Sequence, residues 1–143
     1  MKYKKLRPDA KTPTYGSADA AGADLYVCSA EETAIGPGQT VMLSTGIAVA
    51  IPRGYVGLIF ARSSLGTKRG LAPANKVGVI DSDYRGEIKI SLHNHSGELQ
   101  VLQPYERVAQ LVIMPYLQEI YEETDILDET ARGTGGFGST GRT

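Results

Sequence analysis

Short runs rich in Val, Ile, Tyr and Thr, parted by Gly, Pro and Asp, recur along nearly the whole chain. That rhythm is the signature of an all-β sandwich or barrel. The cleanest alternation runs from Gly86 to Leu92. Ile88, Ile90 and Leu92 share one face and Glu87, Lys89 and Ser91 the other, which predicts a strand with one side in the core. Val41 to Ile51 alternates in part and stops at Pro52-Arg53-Gly54, a turn. Tyr55 to Phe60 is almost continuously apolar, so a strand buried on both faces is expected. Val108 to Met114 reads as a further core strand ended by Pro115, and only Ser63 to Lys68 predicts a helix, a short one.

The last stretch breaks the pattern. Glu122 to Thr130 is acidic, and Arg132 to Thr143 is mostly Gly, Ser, Thr and Arg, five of its residues being Gly. Such a segment buries too little apolar surface to order by itself. The expected organisation is a β-rich core over residues 1–121 and a C-terminal arm over 122–143 that ends in a glycine-rich tail. There is no internal repeat.

Composition narrows the function classes. At 143 residues the chain fits one domain with a real core. Its 15 basic and 16 acidic residues leave a net charge of −1, so no overall field directs it to nucleic acid or an acidic membrane. Any anion must be held by a local cluster of donors. No run of eighteen apolar residues offers a membrane span. Met1 to Pro8 is charged with no apolar stretch behind it, which argues against a secretory signal. The single cysteine, Cys28, rules out an intrachain disulfide and suits a reducing compartment. The expected location is the cytoplasm, or the nucleus as well in a eukaryote.

Three motif matches fail on context. Gly133-Thr-Gly135-Gly-Phe-Gly138 spells a dinucleotide fingerprint, but that motif needs a helix behind it and the sequence stops five residues later. Gly133 to Thr140 approximates a P-loop with Ser139 where the lysine must be. What survives is that a Gly-rich backbone can wrap N–H groups around phosphate oxygens. His93 and His95 stand on one strand face as a metal pair would, yet without a third ligand nearby they read as polar residues on a solvated or subunit-facing strand.

Four other segments carry chemistry. Gly78-Val79-Ile80-Asp81-Ser82-Asp83-Tyr84-Arg85-Gly86 reads as strand, turn, strand, a plain hairpin on its simplest interpretation. An aromatic and two carboxylates crowd that one turn, however. A carboxylate at a strand end suits a general base for water, and a tyrosine offers a flat face to a sugar or base. Arg62-Ser63-Ser64-Leu65-Gly66 opens the short helix. Its serines serve as N-caps, or with Arg62 as an anion site. Ala21-Gly22-Ala23-Asp24-Leu25 is a small-residue turn before a strand, where Asp24 either caps the turn or touches hydrated magnesium. Arg107 and Gln110 open the last core strand with opposite parity, so at most one faces the core. A buried glutamine needs partners, which marks Gln110.

Taken in order, Ala21–Leu25, Arg62–Gly66, Gly78–Gly86, Arg107–Gln110 and Arg132–Thr140 resemble the five motifs of the trimeric dUTPase family. The likeness spans almost everything after roughly the first twenty residues. Its one departure, Ala61 where a proline often precedes the arginine, touches backbone entry and not chemistry. The resemblance implies a β-clip, or distorted jelly-roll, subunit in a homotrimer whose three active sites each draw on all three chains. It also implies hydrolysis of dUTP to dUMP and pyrophosphate with Mg2+, clearing dUTP from the nucleotide pool and supplying dUMP for dTMP synthesis. By matching positions, Asp81 would activate the attacking water and Gln110 would help hold it. Asn75 and the backbone of Gly78, Val79 and Ile80 would read uracil, and Tyr84 would pack under the deoxyribose. Arg62, Ser63 and Ser64 would grip phosphates, with Asp24 reaching the metal through water. Phe137 would stack on uracil, while Arg132, Gly136, Gly138, Ser139 and Thr140 close over the phosphates. The nearest rival on a related fold, a dCTP deaminase, fits the Ile80–Tyr84 turn and the tail less well. A non-catalytic nucleotide sensor or structural jelly roll would have little reason to keep Asp81, Gln110 and Arg132 together.

Overall fold

In the computed structural model, which describes residues 1–136, the chain forms twelve strands and one helix. In order these are β1 (Lys2–Lys5), β2 (Thr14–Tyr15), β3 (Gly22–Tyr26), β4 (Thr33–Ile35), β5 (Thr40–Ser44), β6 (Ile47–Ala50) and β7 (Tyr55–Phe60). Then follow α1 (Ser63–Arg69), β8 (Leu71–Pro73), β9 (Gly78–Ile80), β10 (Lys89–Asn94), β11 (Gln100–Leu102) and β12 (Arg107–Pro115). The largest sheet has the order β2-β3-β12-β7-β9, a second has β5-β10-β8, and β1-β6 and β11-β4 form two-stranded ribbons. Every pairing is antiparallel, so the all-β expectation holds. Most hydrogen-bonded neighbours are far apart in sequence, as in a jelly roll.

The core lies between the sheets. Leu25, Ile59 and Leu111 come from the larger sheet, Leu43, Ile90 and Leu92 from the smaller, and Leu65 from α1. The alternation read at Gly86 to Leu92 is borne out, with Ile88, Ile90 and Leu92 at 0%, 2% and 0% exposure. Two other strand readings need correction. Val41 to Ile51 is not one strand but β5 and β6, which belong to different sheets. The break is built by Thr45 and Gly46. Buried Thr45 turns its hydroxyl inward, donating to the Ile88 carbonyl at 2.7 Å and accepting the Ile47 N–H at 3.2 Å. Gly46 has φ +67°, and a Cβ there would come within 2.7 Å of the Ala10 methyl. β7, expected to be buried on both faces, buries only Gly57 and Ile59, while Val56, Leu58 and Phe60 are half-buried.

The helix ends where Gly70, in the left-handed conformation at φ 65°, returns its N–H to the Leu65 carbonyl. Past Pro115 no strand or helix forms among the described residues, and Leu117, Ile120 and Tyr121 are 88%, 94% and 100% exposed.

Asn94 is the most fully committed polar side chain. Completely buried at the end of β10, its amide donates to the carbonyls of Ile35 and Glu98, each at 2.8 Å. Its oxygen accepts the Ser96 N–H at 2.9 Å and the Ser96 hydroxyl at 2.7 Å. Asn94→Ala strands several of these groups away from water, and urea denaturation should show a loss of about 3 kcal/mol. A change below about 0.5 kcal/mol would mean that the loop relaxes to let water in.

Candidate active site

The segment from Gly78 to Gly86 is not a hairpin. β9 pairs with β7, with Ile80 opposite Gly57 and Gly78 opposite Ile59, whereas β10 pairs with β5 and β8. The chain therefore crosses from one sheet to the other through Asp81–Glu87. Within this crossing the Tyr84 N–H bonds to the Asp81 carbonyl at 3.2 Å. Arg85 braces the loop by donating Nη1 to the carbonyls of Ser82 and Tyr84, at 2.7 and 2.8 Å. The Tyr84 hydroxyl donates to the Glu87 carbonyl at 3.0 Å.

A cleft of about 370 Å³ opens between the sheets here, lined by Asn75, Gly78, Val79, Ile80, Asp81 and Tyr84 together with Ile59, Pro73 and Ile90. Because β9 is the edge of its sheet, one row of its N–H and C=O groups has no strand partner. A flat heterocycle with alternating donors and acceptors on its rim fits such an edge. Lys76, at φ 66°, and the Val77 N–H bonded to the Asn75 carbonyl at 2.7 Å turn the chain tightly, bringing Asn75 beside Gly78. A Cβ on Gly78 would lie 3.0 Å from the Ile59 side chain and 3.6 Å from the Asn75 amide nitrogen.

Four other expected residues, Asp24, Arg62, Ser63 and Gln110, gather elsewhere, in a hollow of about 220 Å³ that Gly22 and Arg107 also line. Asp24 on β3 stands opposite Gln110 on β12, which stands opposite Phe60 on β7. Only 8% exposed, Asp24 accepts Arg62 Nε at 2.7 Å on one oxygen and Arg107 Nη1 at 3.1 Å on the other. One carboxylate against two guanidiniums leaves the hollow with net positive charge, suited to an anion. Gln110 donates to the Ala61 carbonyl at 3.0 Å.

Arg62 itself occupies the N-cap position of α1 with extended φ and ψ of −76° and 138°, and no side chain caps the helix. The capping role considered for Ser63 and Ser64 is thereby excluded. Their hydroxyls are not spent on the helix, although Ser64 Oγ lies 3.4 Å from Arg62 Nη1. Neither Arg107 nor Gln110 faces the core, in keeping with the expectation that at most one would, but the two do not lie on opposite faces. The register of β12 against β3 slips between Arg107 and Ala109, a β-bulge that sets both Arg107 and Gln110 toward the hollow.

The dUTPase family model matches residues 8–141. The chain belongs to the dUTPase family. It is 50% identical over 147 aligned residues to the deoxyuridine 5'-triphosphate nucleotidohydrolase of Escherichia phage T5, with 99% of this chain and 98% of that one covered. Its fold matches the Staphylococcus bacteriophage 80alpha dUTPase solved with dUpNHpp, at a TM-score of 0.89 and 27% identity over 98% and 97% of the two chains. It is also similar to a mutant dUTPase of S. aureus phage phi11 whose structure describes a structural Mg(II) ion, with a TM-score of 0.77, 25% identity and coverage of 87% and 96%.

Within one dUTPase chain, then, the residues singled out in the sequence divide. Asn75, Gly78, Val79, Ile80, Asp81 and Tyr84 share the cleft, while Asp24, Arg62, Ser63 and Gln110 share the hollow. Arg132 joins neither, its Nε donating to the Gly135 carbonyl at 2.8 Å in a local turn. Gly136 is half-buried, and Phe137, Gly138, Ser139 and Thr140 lie outside the described residues. His93 and His95 have ring centroids 4.3 Å apart, and the Thr40 hydroxyl occupies His93 Nδ1 at 2.8 Å. Burial, with Lys76 and His93 nearby, holds His95 below the ordinary imidazole range. No group of three or more His, Cys, Asp or Glu side chains among the described residues could hold a bare metal ion.

Sequence reasoning missed the tie between Arg107 and Asp24. A charge at a strand start was visible, but the bulge that aims it was not. It also missed how close Gly22 lies to Gln110. A Cβ at Gly22 would come 2.6 Å from Gln110 Oε1 and 3.2 Å from its Cβ and Cδ. Gly22→Ala should push the carboxamide off the Ala61 carbonyl, while the approach to Gln110 Cβ, which is fixed to β12, costs some stability as well. The role that the family resemblance gives Gln110 predicts kcat for dUTP down by about tenfold to a hundredfold, a larger loss than a melting temperature lowered by a few degrees explains. Wild-type kcat would show that the placement of Gln110 is unimportant.

Proposed function

We propose that the chain hydrolyses dUTP to dUMP and pyrophosphate by attack of water at the α-phosphorus, in a homotrimer whose sites are shared between subunits. The observation that carries this reading is the division of the site residues within one chain between a base-sized cleft and a positive hollow. One copy's cleft facing a neighbour's hollow would assemble what a nucleoside triphosphate needs. The bare apolar side chains of Leu117, Ile120 and Tyr121 also call for cover by another copy. The arm over 122–143 would carry the tail to a site on a neighbour.

In this reading the free edge of β9 and the Asn75 amide pair with the uracil rim, and the Tyr84 ring packs under the deoxyribose where a 2′-hydroxyl would collide. Asp81, at the end of β9, takes the proton of the attacking water. Gln110 of a neighbour, steadied by the Ala61 carbonyl, helps to hold that water. Arg62, with the Ser63 and Ser64 hydroxyls, stabilises the negative charge that gathers on the departing pyrophosphate. Asp24 keeps the Arg62 fork in place. Each Asp24 oxygen accepts one guanidinium N–H and retains a lone pair, so Asp24 would accept a hydrogen bond from a water on bound magnesium without releasing either arginine. When bound with the substrate, Mg2+ would supply neutralisation of the triphosphate charge. Arg132, Gly136, Gly138, Ser139 and Thr140 close over the phosphates and Phe137 stacks on the base, excluding bulk water. No nucleic acid or membrane partner is needed, and the buried thiol of Cys28, its pKa pushed up by burial, suits the cytoplasm.

The direct test is pyrophosphate release from dUTP with magnesium, beside ammonia release from dCTP. Asp81→Asn preserves shape and deletes the base, so dUTP should still bind while kcat falls by about 10²- to 10⁴-fold. An unchanged kcat would remove Asp81 from the role of base.

Sharing is tested by complementation. Asp81→Asn chains with an intact tail, and chains truncated before Arg132, should each be nearly inactive. Co-refolded in equal amounts, they should recover about a quarter of wild-type activity, because base and tail at each site are then drawn independently from two chains. Mixed trimers no more active than their parents would mean that one chain supplies both.

A further inference from the structure

We infer that Gly86 is a positioning residue for sugar discrimination: its missing side chain is the seat that lets the Tyr84 ring lie where it can reject a ribonucleotide. This rests on the reading of Tyr84 as the sugar platform and goes beyond it by naming what holds the ring.

A Cβ added to Gly86 would fall 2.5 Å from Tyr84 Cζ and 2.9 Å from Cε2, and would overlap the hydroxyl oxygen. Real Cβ atoms do not approach ring carbons so closely, so any side chain there moves either the ring or the backbone. The backbone is not free to move. The Ile88 N–H is bonded to the Ile47 carbonyl at 2.8 Å, and the Ile88 carbonyl accepts the buried Thr45 hydroxyl at 2.7 Å. The Glu87 carboxylate accepts the Gly46 N–H at 2.8 Å. On the other side, Arg85 clasps the carbonyls of Ser82 and Tyr84. The ring is free to move, for Tyr84 is 44% exposed and only its hydroxyl bond to the Glu87 carbonyl would break.

Glycine is not required here for backbone conformation, because φ at Gly86 lies outside the left-handed region. Alanine is therefore not refused by a left-handed backbone, and the atoms nearest its Cβ all belong to the Tyr84 ring and hydroxyl. Gly86→Ala should tip the ring out of the cleft while leaving the fold intact. The space beneath the sugar then opens, and a 2′-hydroxyl no longer meets aromatic carbon. Because the seat acts through the ring, its effect must disappear once the ring is gone.

The experiment measures kcat/KM for UTP and dUTP in the wild type, Gly86→Ala, Tyr84→Ala and the double variant, with magnesium and with circular dichroism to verify folding. Gly86→Ala should raise the UTP to dUTP ratio by about tenfold or more, and Tyr84→Ala should raise it at least as far. Gly86→Ala placed on Tyr84→Ala should add nothing, the signature of two residues acting as one. Tyr84→Phe, with the seat intact, should keep most of the discrimination, which tests the seat even if Gly86→Ala folds poorly. A wild-type ratio in Gly86→Ala beside a raised ratio in Tyr84→Ala would overturn the seat and leave the functional reading standing. Lost discrimination in Tyr84→Phe would assign the positioning to the hydroxyl tether instead. A wild-type ratio in Tyr84→Ala would overturn both the platform and its seat, and absence of dUTP turnover by the wild type would overturn the reading beneath them.

Discussion

One extra residue in β12 decides which side chains share the positive hollow. β12 lies in the middle of the larger sheet, bonded to β3 on one side and β7 on the other, so its register fixes theirs. At the slip between Arg107 and Ala109, Val108 and Ala109 are both fully buried. There two residues of β12 stand against one of β3, which brings to one side positions that a regular pleat would part. Arg107 and Gln110, three apart, can therefore line one hollow. Asp24 sits across from Gln110, and with so little exposure its carboxylate needs strong donors. Arg107 and Arg62 provide them, and in return have their guanidiniums fixed. The positive hollow thus follows from a backbone irregularity followed by a chain of charge pairing.

The base-sized cleft has a different origin. Besides the step from β8 to β9, the chain changes sheets near it at Thr45-Gly46 and again through Asp81–Glu87. These two crossings are stitched together, since the Gly46 N–H bonds to the Glu87 carboxylate and the Thr45 hydroxyl to the Ile88 carbonyl. The stitching continues the β10–β5 pairing past Lys89 and Ser44 and anchors the far end of the Asp81–Glu87 crossing, which lines the cleft. β9 ends its sheet uncovered at the mouth, which exposes backbone groups whose positions the sheet itself determines. Recognition by such an edge depends little on side-chain rotamers, so it is rigid before a ligand arrives.

What was legible in the sequence follows from what periodicity encodes. The alternation of Ile88, Ile90 and Leu92 reports which residues face inward, and it was read correctly because that stretch stays in one sheet. Val41 to Ile51 was misread because alternation says nothing about which strand is the partner. A switch of sheets needs only a buried threonine and a glycine, neither conspicuous in sequence. The supposed hairpin at Gly78–Gly86 failed for the same reason: Asp, Ser and Gly mark a turn but not whether the strands beside it meet. The bulge in β12 was invisible, and with it the pairing of Arg107 to Asp24. Asp81, Tyr84, Arg62 and Gln110 stood out because polar or aromatic groups were crowded where simpler residues would have served. Their division between cleft and hollow required the fold.

That division bears on why assembly and chemistry belong together in the proposed enzyme. A net charge of −1 gives no general attraction for a triphosphate, so positive charge has to be concentrated locally. Within one chain it is concentrated where the arginines gather, not at the cleft that the proposal gives to the base. A lone subunit would hold a nucleoside at one place and an anion at another, each with modest affinity. Joining them by apposition of two copies makes the second contact intramolecular once the first is made, the same gain that multivalent binding brings. The exposed Leu117, Ile120 and Tyr121 supply a separate incentive, because covering them favours association whether or not substrate is present. The hydrophobic effect would then set the assembly, and the assembly would complete the site.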